Sequence, residues 1–225
     1  MRNSNSLKPS SPPRGGEREA STRVEVTFER THRHSYTVAP ALVLDLDGTV
    51  RKSKSGGFIN DPSDQEPMYE DVGRVLQAYR REGYYIAGLT NQGGVAHGHL
   101  TEDDVHEGLR KTASMIAGFD YILAVPFSNG DGATVEPYNR RSLLRKPEMG
   151  GLAVIEHEAK ASSGVIINWE ESVMVGDRDT DRQCAKKAGV AYHDAEHFFE
   201  GAGAERHLNA PDKIGEAEDL EGPPF

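Results

Sequence analysis

The sequence ALVLDLDGT at residues 41–49 joins an apolar run directly to two carboxylates. Such a run is typical of a buried strand, and Gly48 lets the chain turn sharply after it. Side chains two residues apart in a strand point to the same side, so Asp45 and Asp47 are predicted to converge on one site. One carboxylate can attack an electrophile there while the other moves a proton or helps to hold a cation. The alternative is a strand that simply ends in an Asp-rich turn.

Strand and helix patterns alternate along the chain from residue 41. Strands are predicted at 41–47, 84–90, 121–127, 172–176 and 190–192, and helices at about 69–82, from Thr101 onward, at 148–161 and at 180–188. A polar, Gly-rich loop is predicted at 51–67, between the first strand and the first helix. This alternation indicates a parallel sheet covered on both faces. We therefore predict an α/β fold, a Rossmann-like doubly wound parallel sheet with a minimal cap domain or none. Ligands of such sheets bind beyond the carboxyl ends of the strands, where each motif below falls.

Two helices carry more specific expectations. Thr101, followed by Asp104, resembles a capping box with Asp in place of Glu. In the helix at 148–161 the apolar spacing predicts that Met149, Leu152 and Ile155 face inward.

Four segments are predicted along the chain. Residues 1–22 read as a disordered tail rich in Ser, Pro, Gly and charge, and 23–40 as an accessory strand or linker with period-2 alternation at 24–28. Residues 41–200 form the α/β domain, and 201–225 an acidic tail.

Composition limits the classes of function. The formal net charge of −10 disfavours a broad nucleic-acid surface, although a local basic groove is compatible with it. Cys184 is the only cysteine, so no intramolecular disulfide can form, and a reducing cytoplasm is the expected compartment. No apolar run approaches the roughly 20 residues that cross a bilayer, and we expect no membrane partner. The N-terminal residues lack a signal-peptide core; their basic, Ser-rich character leaves a transit peptide as the alternative. The sequence sets no oligomeric state.

A Gly-rich loop, Thr90-Asn91-Gln92-Gly93-Gly94, follows the second strand. A hydroxyl beside the backbone N–H groups of such a turn makes a small anion cradle suited to phosphate. The alternative is an ordinary loop in which glycine supplies positive φ angles. His97 and His99, further along this loop, are either solvated or in contact with substrate.

A basic pair, Arg145-Lys146, precedes Pro147, which suits the first turn of a helix. A lysine held there could neutralise both a nucleophilic carboxylate and a transferring phosphoryl group. The arginine could clamp a second phosphate or a substrate oxygen in bidentate fashion. The alternative is a solvated basic turn.

An acidic turn, GDRDTD at residues 176–181, ends the fourth strand. It suits Mg²⁺, a hard cation that prefers oxygen ligands. Asp177 is the best candidate ligand because it follows the strand directly, whereas Asp181 is expected to orient Lys146 or metal-bound waters. The alternative is an N-cap, in which Asp177 or Asp179 accepts hydrogen bonds from helix N–H groups.

Taken in order, these motifs resemble the haloacid dehalogenase superfamily of phosphohydrolases. The resemblance covers about residues 41–200 and is greatest to small enzymes with little or no cap, namely the heptose-1,7-bisphosphate phosphatases, histidinol-phosphate phosphatases and polynucleotide 3'-phosphatases. It is carried by DLDGT at 45–49, TNQ at 90–92, RKP at 145–147 and GDRDTD at 176–181. The longer strings TNQGGVAHGHLTEDD at 90–104 and RKPEMGG at 145–151 are similar to the heptose group.

The resemblance implies roles for the acidic residues. Asp45 would be the nucleophile that forms an aspartyl-phosphate. Asp47 would protonate the leaving oxygen and then activate water. Mg²⁺ would be held by Asp45, the backbone carbonyl of Asp47, and Asp177.

The other motif residues would serve the phosphate and the substrate. Thr90 would hold the phosphoryl oxygens and Lys146 would balance the charge. Asn91 and Gln92, which share the motif of Thr90, and Arg145, which matches a substrate-contacting arginine of the heptose group, would bind substrate.

The sequence departs from the heptose group in two places. The loop at 128–147 contains neither the Cys nor the His of the zinc cluster that these enzymes often carry, so structural zinc is not supported. The first motif reads Asp-Leu-Asp where the heptose group usually has Asp-Arg-Asp.

The hypothesis that follows is a Mg²⁺-dependent phosphatase acting on a small phosphorylated metabolite, such as a sugar phosphate. The alternatives are a polynucleotide 3'-phosphatase and a non-catalytic binding protein on the same fold.

Overall fold

The computed structural model describes residues 36–200. The expectations for the strand at 24–28 and for the tails at 1–22 and 201–225 lie outside the described residues. In chain order the elements are β1 (Thr37–Ala39), β2 (Ala41–Leu44), β3 (Arg51–Lys52), β4 (Glu66–Pro67), α1 (Val72–Arg81), β5 (Tyr85–Asn91), α2 (Glu102–Met115), β6 (Tyr121–Val125), α3 (Gly150–Ser163), β7 (Val165–Ile167), a 3-10 turn (Trp169–Glu171), β8 (Val173–Gly176), α4 (Asp179–Ala188), β9 (Ala191–Asp194) and α5 (Ala195–Glu200).

Five strands form the central sheet in the order β6-β5-β2-β8-β9. All four neighbouring pairs are parallel, and β2 lies in the middle between β5 and β8. The short β1 pairs with β7 in a separate parallel ribbon. The predicted α/β fold with a parallel sheet is therefore confirmed, and the carboxyl ends of the five strands share one edge.

The period-2 pattern of β2 assigns its side chains to two cores. Leu42 and Leu44 lie in one cluster with residues of α1 and α5, and Ala41 and Val43 lie in the other with residues of α3 and α4. All four are fully buried. Helices therefore cover both faces of the sheet, which is why its central strand is apolar throughout.

The segment at 51–67, predicted as a polar loop, contains a small ribbon. Strands β3 and β4 pair in antiparallel fashion, with Arg51 opposite Pro67 and Lys52 opposite Glu66. The prediction of an unstructured loop was wrong here because a pairing of two residues on each side leaves almost no period-2 signal. This ribbon and the loop that connects its strands lie in the segment between β2 and α1.

Other elements agree in place and differ at their ends. Strand β2 ends at Leu44 rather than at residue 47. The capping box of α2 is confirmed, because Asp104 N–H donates to Thr101 Oγ1 at 3.1 Å and Thr101 N–H donates to Asp104 Oδ2 at 2.8 Å. The inward orientation of Met149 was wrong: this side chain is 50% exposed, just before α3 begins. Within residues 36–200 no helix has the length and apolar character to cross a membrane.

Candidate active site

The predicted acidic residues meet at the carboxyl edge of the sheet. Asp45 directly follows β2, and Asp177 directly follows β8. The N–H of Asp45 donates to the carbonyl of Val175 at 2.9 Å, which continues the β2–β8 pairing one step beyond the strand. Because the two strands are parallel neighbours, this pairing brings both carboxylates to the same place.

Lys146 is the centre of a buried charge cluster. Its Nζ contacts Asp45 Oδ1, lies 2.6 Å from Asp181 Oδ1 and donates to the carbonyl of Leu89 at 2.6 Å. Asp45 is 5% exposed, Lys146 2% and Asp181 1%. The structure thus places Asp181 against Lys146, one of the two roles expected for it.

Two buried carboxylates share one ammonium group in this cluster. Burial raises the pKa of Asp45 to about 7; the charge of Lys146 opposes this rise and the charge of Asp181 adds to it. Burial also disfavours the charged form of Lys146, but its two carboxylate neighbours outweigh burial and raise its pKa. The cluster therefore holds an excess of negative charge that a further cation would relieve.

The backbone of Lys146 is fastened to the end of β5. Asn91 Nδ2 donates to the carbonyl of Lys146 at 2.9 Å, and the N–H of Lys146 donates to Asn91 Oδ1 at 3.1 Å. Both polar atoms of this amide are used within the protein. Contact of Asn91 with substrate stays a prediction; the observed contact positions the lysine.

Asp47 has polar partners on both carboxylate oxygens. Arg51 Nε donates to Oδ1 at 2.7 Å, and Gln92 Nε2 donates to Oδ2 at 2.7 Å. Thr90 Oγ1 donates to the same Oδ2 at 3.4 Å and accepts from Gln92 Nε2 at 2.8 Å. Gln92 is 8% exposed and its amide holds Asp47; contact of Gln92 with substrate stays a prediction.

The donor set at the edge of the sheet fits a divalent cation. One carboxylate oxygen from each of Asp45, Asp177 and Asp181 lies within 4.8 Å of the other two. Gly48, at φ +90°, allows Asp177 to approach, because a Cβ there would lie 2.3 Å from Asp177 Oδ2. Partial burial raises the pKa of Asp177 although the positive charge of Arg178 opposes the rise, so a bound cation would also stabilise the ionised form of Asp177. The carboxylate oxygens of Asp45 and Asp177 are hard donors that fit Mg²⁺, whereas both oxygens of Asp181 are held by Lys146 and by the N–H of Arg178. The role of the Asp47 carbonyl stays a prediction.

The N-cap alternative for the acidic turn was wrong. The residue that caps α4 is Arg178, and neither Asp177 nor Asp179 accepts a capping hydrogen bond. Asp181 Oδ2 accepts from the N–H of Arg178 at 3.1 Å instead. One carboxylate therefore closes the first turn of α4 with one oxygen and holds Lys146 with the other.

Arg145 lies beside this cluster, and the partner of its guanidinium group is a neutral carbonyl. Its Nη1 donates to the carbonyl of Phe127 at 3.0 Å, and no carboxylate within residues 36–200 forms an ion pair with it. Burial lowers the pKa of Arg145, and the positive charge of Arg178 lowers it further. A side chain at Gly93 would crowd the guanidinium, since a Cβ there would lie 3.2 Å from Nη1.

Sequence reasoning missed Arg51 and its partners Gln65 and Thr112. Arg51 is 3% exposed although it stands in a segment predicted to be a polar loop. Its spacing of four residues from Asp47 was the one signal of this role in the sequence.

The two histidines of the Gly-rich loop differ in exposure. His97 is half-buried, with its Nε2 3.3 Å from Ser128 Oγ, and His99 is exposed.

Comparison with known proteins identifies the class to which this fold and site belong, the phosphatases of haloacid-dehalogenase-like fold. The chain belongs to the family described as "Polynucleotide kinase 3 phosphatase", whose model matches residues 41–200.

Relatives and solved structures agree with this class. A D-glycero-D-manno-heptose-1,7-bisphosphate 7-phosphatase of Thermosynechococcus vestitus is 28% identical over 80% of this chain and 91% of its own length. A D-glycero-beta-D-manno-heptose-1,7-bisphosphate 7-phosphatase of Vibrio cholerae is 30% identical over 67% of this chain and 77% of its own. A protein of Mesorhizobium loti described as a HAD-like phosphatase superposes with a TM-score of 0.60 at 21% identity, covering 81% of this chain and 93% of its own. The D,D-heptose 1,7-bisphosphate phosphatase of B. bronchiseptica, complexed with magnesium and phosphate, gives 0.52 at 23% identity, covering 68% and 78%. The predicted resemblance and the prediction of a phosphatase are thus confirmed.

Proposed function

We propose that the protein is a Mg²⁺-dependent phosphomonoester hydrolase that acts through an aspartyl-phosphate on a small phosphorylated metabolite, a sugar phosphate. The observation that carries the proposal is the buried carboxylate of Asp45, held by Lys146 and within reach of Asp177. A carboxylate and a phosphate repel each other, and this cluster collects the groups that relieve the repulsion.

The contacts of Asp45 and Asp47 support a two-step reaction. Lys146 contacts Oδ1 of Asp45, which leaves Oδ2 to attack phosphorus while the ester oxygen departs with a proton from Asp47. In the second step Asp47 takes a proton from water, which attacks the aspartyl-phosphate and releases inorganic phosphate. Thr90, whose Oγ1 lies 3.4 Å from Asp47 Oδ2, would donate a hydrogen bond to a phosphoryl oxygen.

Mg²⁺, when held by Asp45 and Asp177, would neutralise charge on the phosphoryl oxygens. We expect Asp177→Asn to need at least about 10- to 100-fold more Mg²⁺ for half-maximal activity, because losing a direct ligand weakens metal binding at least as much as losing a group that only supports a ligand. Titration of activity against Mg²⁺ measures this. The matched control is Asp179→Asn, in the same turn and exposed, whose Mg²⁺ requirement should be unchanged. An unchanged requirement in Asp177→Asn would remove this residue from the metal site.

The arginine beside the cluster favours a substrate with a second anionic group. Arg145 donates to the carbonyl of Phe127 and has no carboxylate partner within the described residues, whereas Arg178 Nε lies 3.7 Å from Asp177 Oδ2. A guanidinium without a carboxylate partner attracts a second phosphate or a sugar carboxylate. This arrangement supports a substrate class like the bisphosphates named for the heptose relatives.

A polynucleotide 3'-phosphatase is the second candidate, and the description of the matching family favours it. The formal net charge of −10 opposes it, because the phosphate backbone of a polynucleotide is repelled by an acidic protein.

A substrate panel separates the two candidates. Phosphate release is measured with sugar mono- and bisphosphates and with a 3'-phosphorylated oligonucleotide, each with Mg²⁺ and with EDTA. We expect Mg²⁺-dependent release from a sugar phosphate and little dependence on salt. Preference for the oligonucleotide, with activity that falls steeply as salt rises, would establish the second candidate. No release from any ester would leave the non-catalytic alternative.

The cytoplasm stays the proposed compartment, because Cys184 is the only cysteine.

Asp47→Asn should lower kcat by about 100-fold or more, with a much smaller change in KM, because an amide cannot pass a proton to the ester oxygen. Steady-state kinetics with the preferred substrate measure the two constants. Full turnover by this variant would exclude Asp47 from the reaction.

A further inference from the structure

A buried arginine stands directly behind the candidate acid–base residue. The side chain of Arg51 is 4% exposed and that of Asp47 is 35% exposed, and Arg51 Nε lies 2.7 Å from Asp47 Oδ1. This is the single ion pair recorded for Arg51 among residues 36–200. The arginine therefore reaches Asp47 from the protein interior, on the side away from solvent.

The Nη1 group of the guanidinium is held by neutral side chains, Thr112 in α2 and Gln65, which directly precedes β4. Nη1 donates to Thr112 Oγ1 of α2 at 2.6 Å and to Gln65 Oε1 at 3.3 Å. Gln65, in turn, accepts from Thr112 Oγ1 at 2.7 Å and donates to the carbonyl of Gly108 at 3.1 Å. These contacts join the β3–β4 ribbon to α2 and leave Arg51 little freedom to rotate.

Burying an arginine costs free energy unless its charge is compensated. Here the compensating charge lies on the ionised form of Asp47, which is the form that proton donation in the proposed first step leaves behind. A guanidinium is planar and presents its donors in a fixed fork, so an arginine held by Thr112 and Gln65 fixes the direction of the Nε–H bond to Asp47. With Oδ1 held in this way, Oδ2 is the oxygen left to face Gln92 and Thr90.

We propose that Arg51 is a positioning residue, which orients Asp47 for proton transfer and makes that orientation depend on the β3–β4 ribbon and on α2 through Gln65 and Thr112. The proposal rests on the proposed function, because it concerns the same acid–base step. It assigns Arg51 no contact with substrate.

The test compares two leaving groups. Proton donation by Asp47 matters for an alkyl phosphate, whose alkoxide leaves poorly, and matters little for p-nitrophenyl phosphate. The ratio of kcat/KM for the two substrates reports the step that forms the aspartyl-phosphate and does not depend on the fraction of correctly folded enzyme. We expect Arg51→Met to change this ratio about tenfold against the alkyl phosphate. Thr112→Val, which removes a contact of Arg51 without touching Asp47, should change it in the same direction by less.

A double-mutant cycle completes the test. In an Asp47→Asn background, Arg51→Met should change the ratio no further. An unchanged ratio in both Arg51→Met and Thr112→Val, or an equal change with and without Asp47, would overturn the proposal while leaving the phosphatase intact. Wild-type protein that hydrolyses neither ester would instead refute the proposed function, and the positioning role with it. If Arg51→Met does not fold, the ratio in Thr112→Val decides.

Discussion

Asp45→Asn should lower phosphate release by at least about a thousandfold, because an amide oxygen is a poor nucleophile for phosphorus. The same variant should not accumulate phosphate on the protein that survives an acid quench and is released by alkali or hydroxylamine, whereas wild-type protein, quenched with acid during turnover, should. Asp131→Asn is the matched control, since it makes the same chemical change at an exposed position. Equal release from the wild-type protein and Asp45→Asn would exclude Asp45 as the nucleophile.

Loss of activity in Asp45→Asn should come with a gain in stability when no metal is bound. Asp45 and Asp181 share the single ammonium of Lys146, so removing one anion leaves a balanced pair, with Lys146 Nζ still 2.6 Å from Asp181 Oδ1. An inactive variant that melts at a higher temperature than the wild-type protein would show that the cluster serves catalysis at the expense of stability.

The sign of the pH dependence follows from the raised pKa of Asp45. Its pKa rises from 3.8 to about 7 on folding, so the folded protein holds the proton more tightly than the unfolded chain. The stabilisation this gives is complete below pH 3.8 and is lost as the pH rises to about 7. In EDTA, the stability of Asp45→Asn relative to the wild-type protein should therefore increase over this range, by on the order of a few kcal/mol. A difference that is constant with pH would contradict it.

Lys146→Met should have the largest combined effect. Asp45 and Asp181 would then lie buried without a cation, and removing one partner of a buried ion pair costs about 3–5 kcal/mol. Activity should also fall by about 100- to 1000-fold, as when a preorganised electrostatic group is removed. Chemical denaturation and steady-state kinetics measure the two losses. Lys187→Met is the matched control, because Lys187 pairs with Glu148 at the surface and should lose little of either.

A second variant separates the two effects of Lys146. In Lys146→Met with Asp181→Asn, one of the stranded anions is gone, so much of the stability should return. Activity should not return, because the ammonium group that balances the phosphoryl charge is still missing. Recovery of activity together with stability would mean that Lys146 acts on folding alone.

The sequence predicts correctly that the site residues which directly follow strands lie together at one edge of the sheet. Asp45, Thr90 and Asp177 each stand at the end of an apolar run, and parallel strands bring such ends together whatever the details of packing. Lys146 could be placed only through the resemblance, because it arrives from a loop that the Asn91 amide fastens to β5. A long-range contact of this kind leaves no periodic signal.

The wrong expectations for Arg51 and Met149 also have physical causes that the sequence pattern does not show. Arg51 looked like a solvent-exposed residue because its compensation by Asp47, Gln65 and Thr112 comes from tertiary structure. Met149 fitted an inward helical spacing, but α3 begins one residue after it, so that spacing does not extend to Met149. Periodicity predicts which face of a regular element is buried and says little about residues at its ends.

The fastening of Lys146 to Asn91 has a consequence for how the specificity of this enzyme can change. The ammonium group takes its position from the sheet and not from the long connection at 128–144 that precedes it. We therefore expect that the connection can be lengthened or shortened while Lys146 stays beside Asp45 and Asp181. A designer could replace it with a different loop without rebuilding this charge cluster.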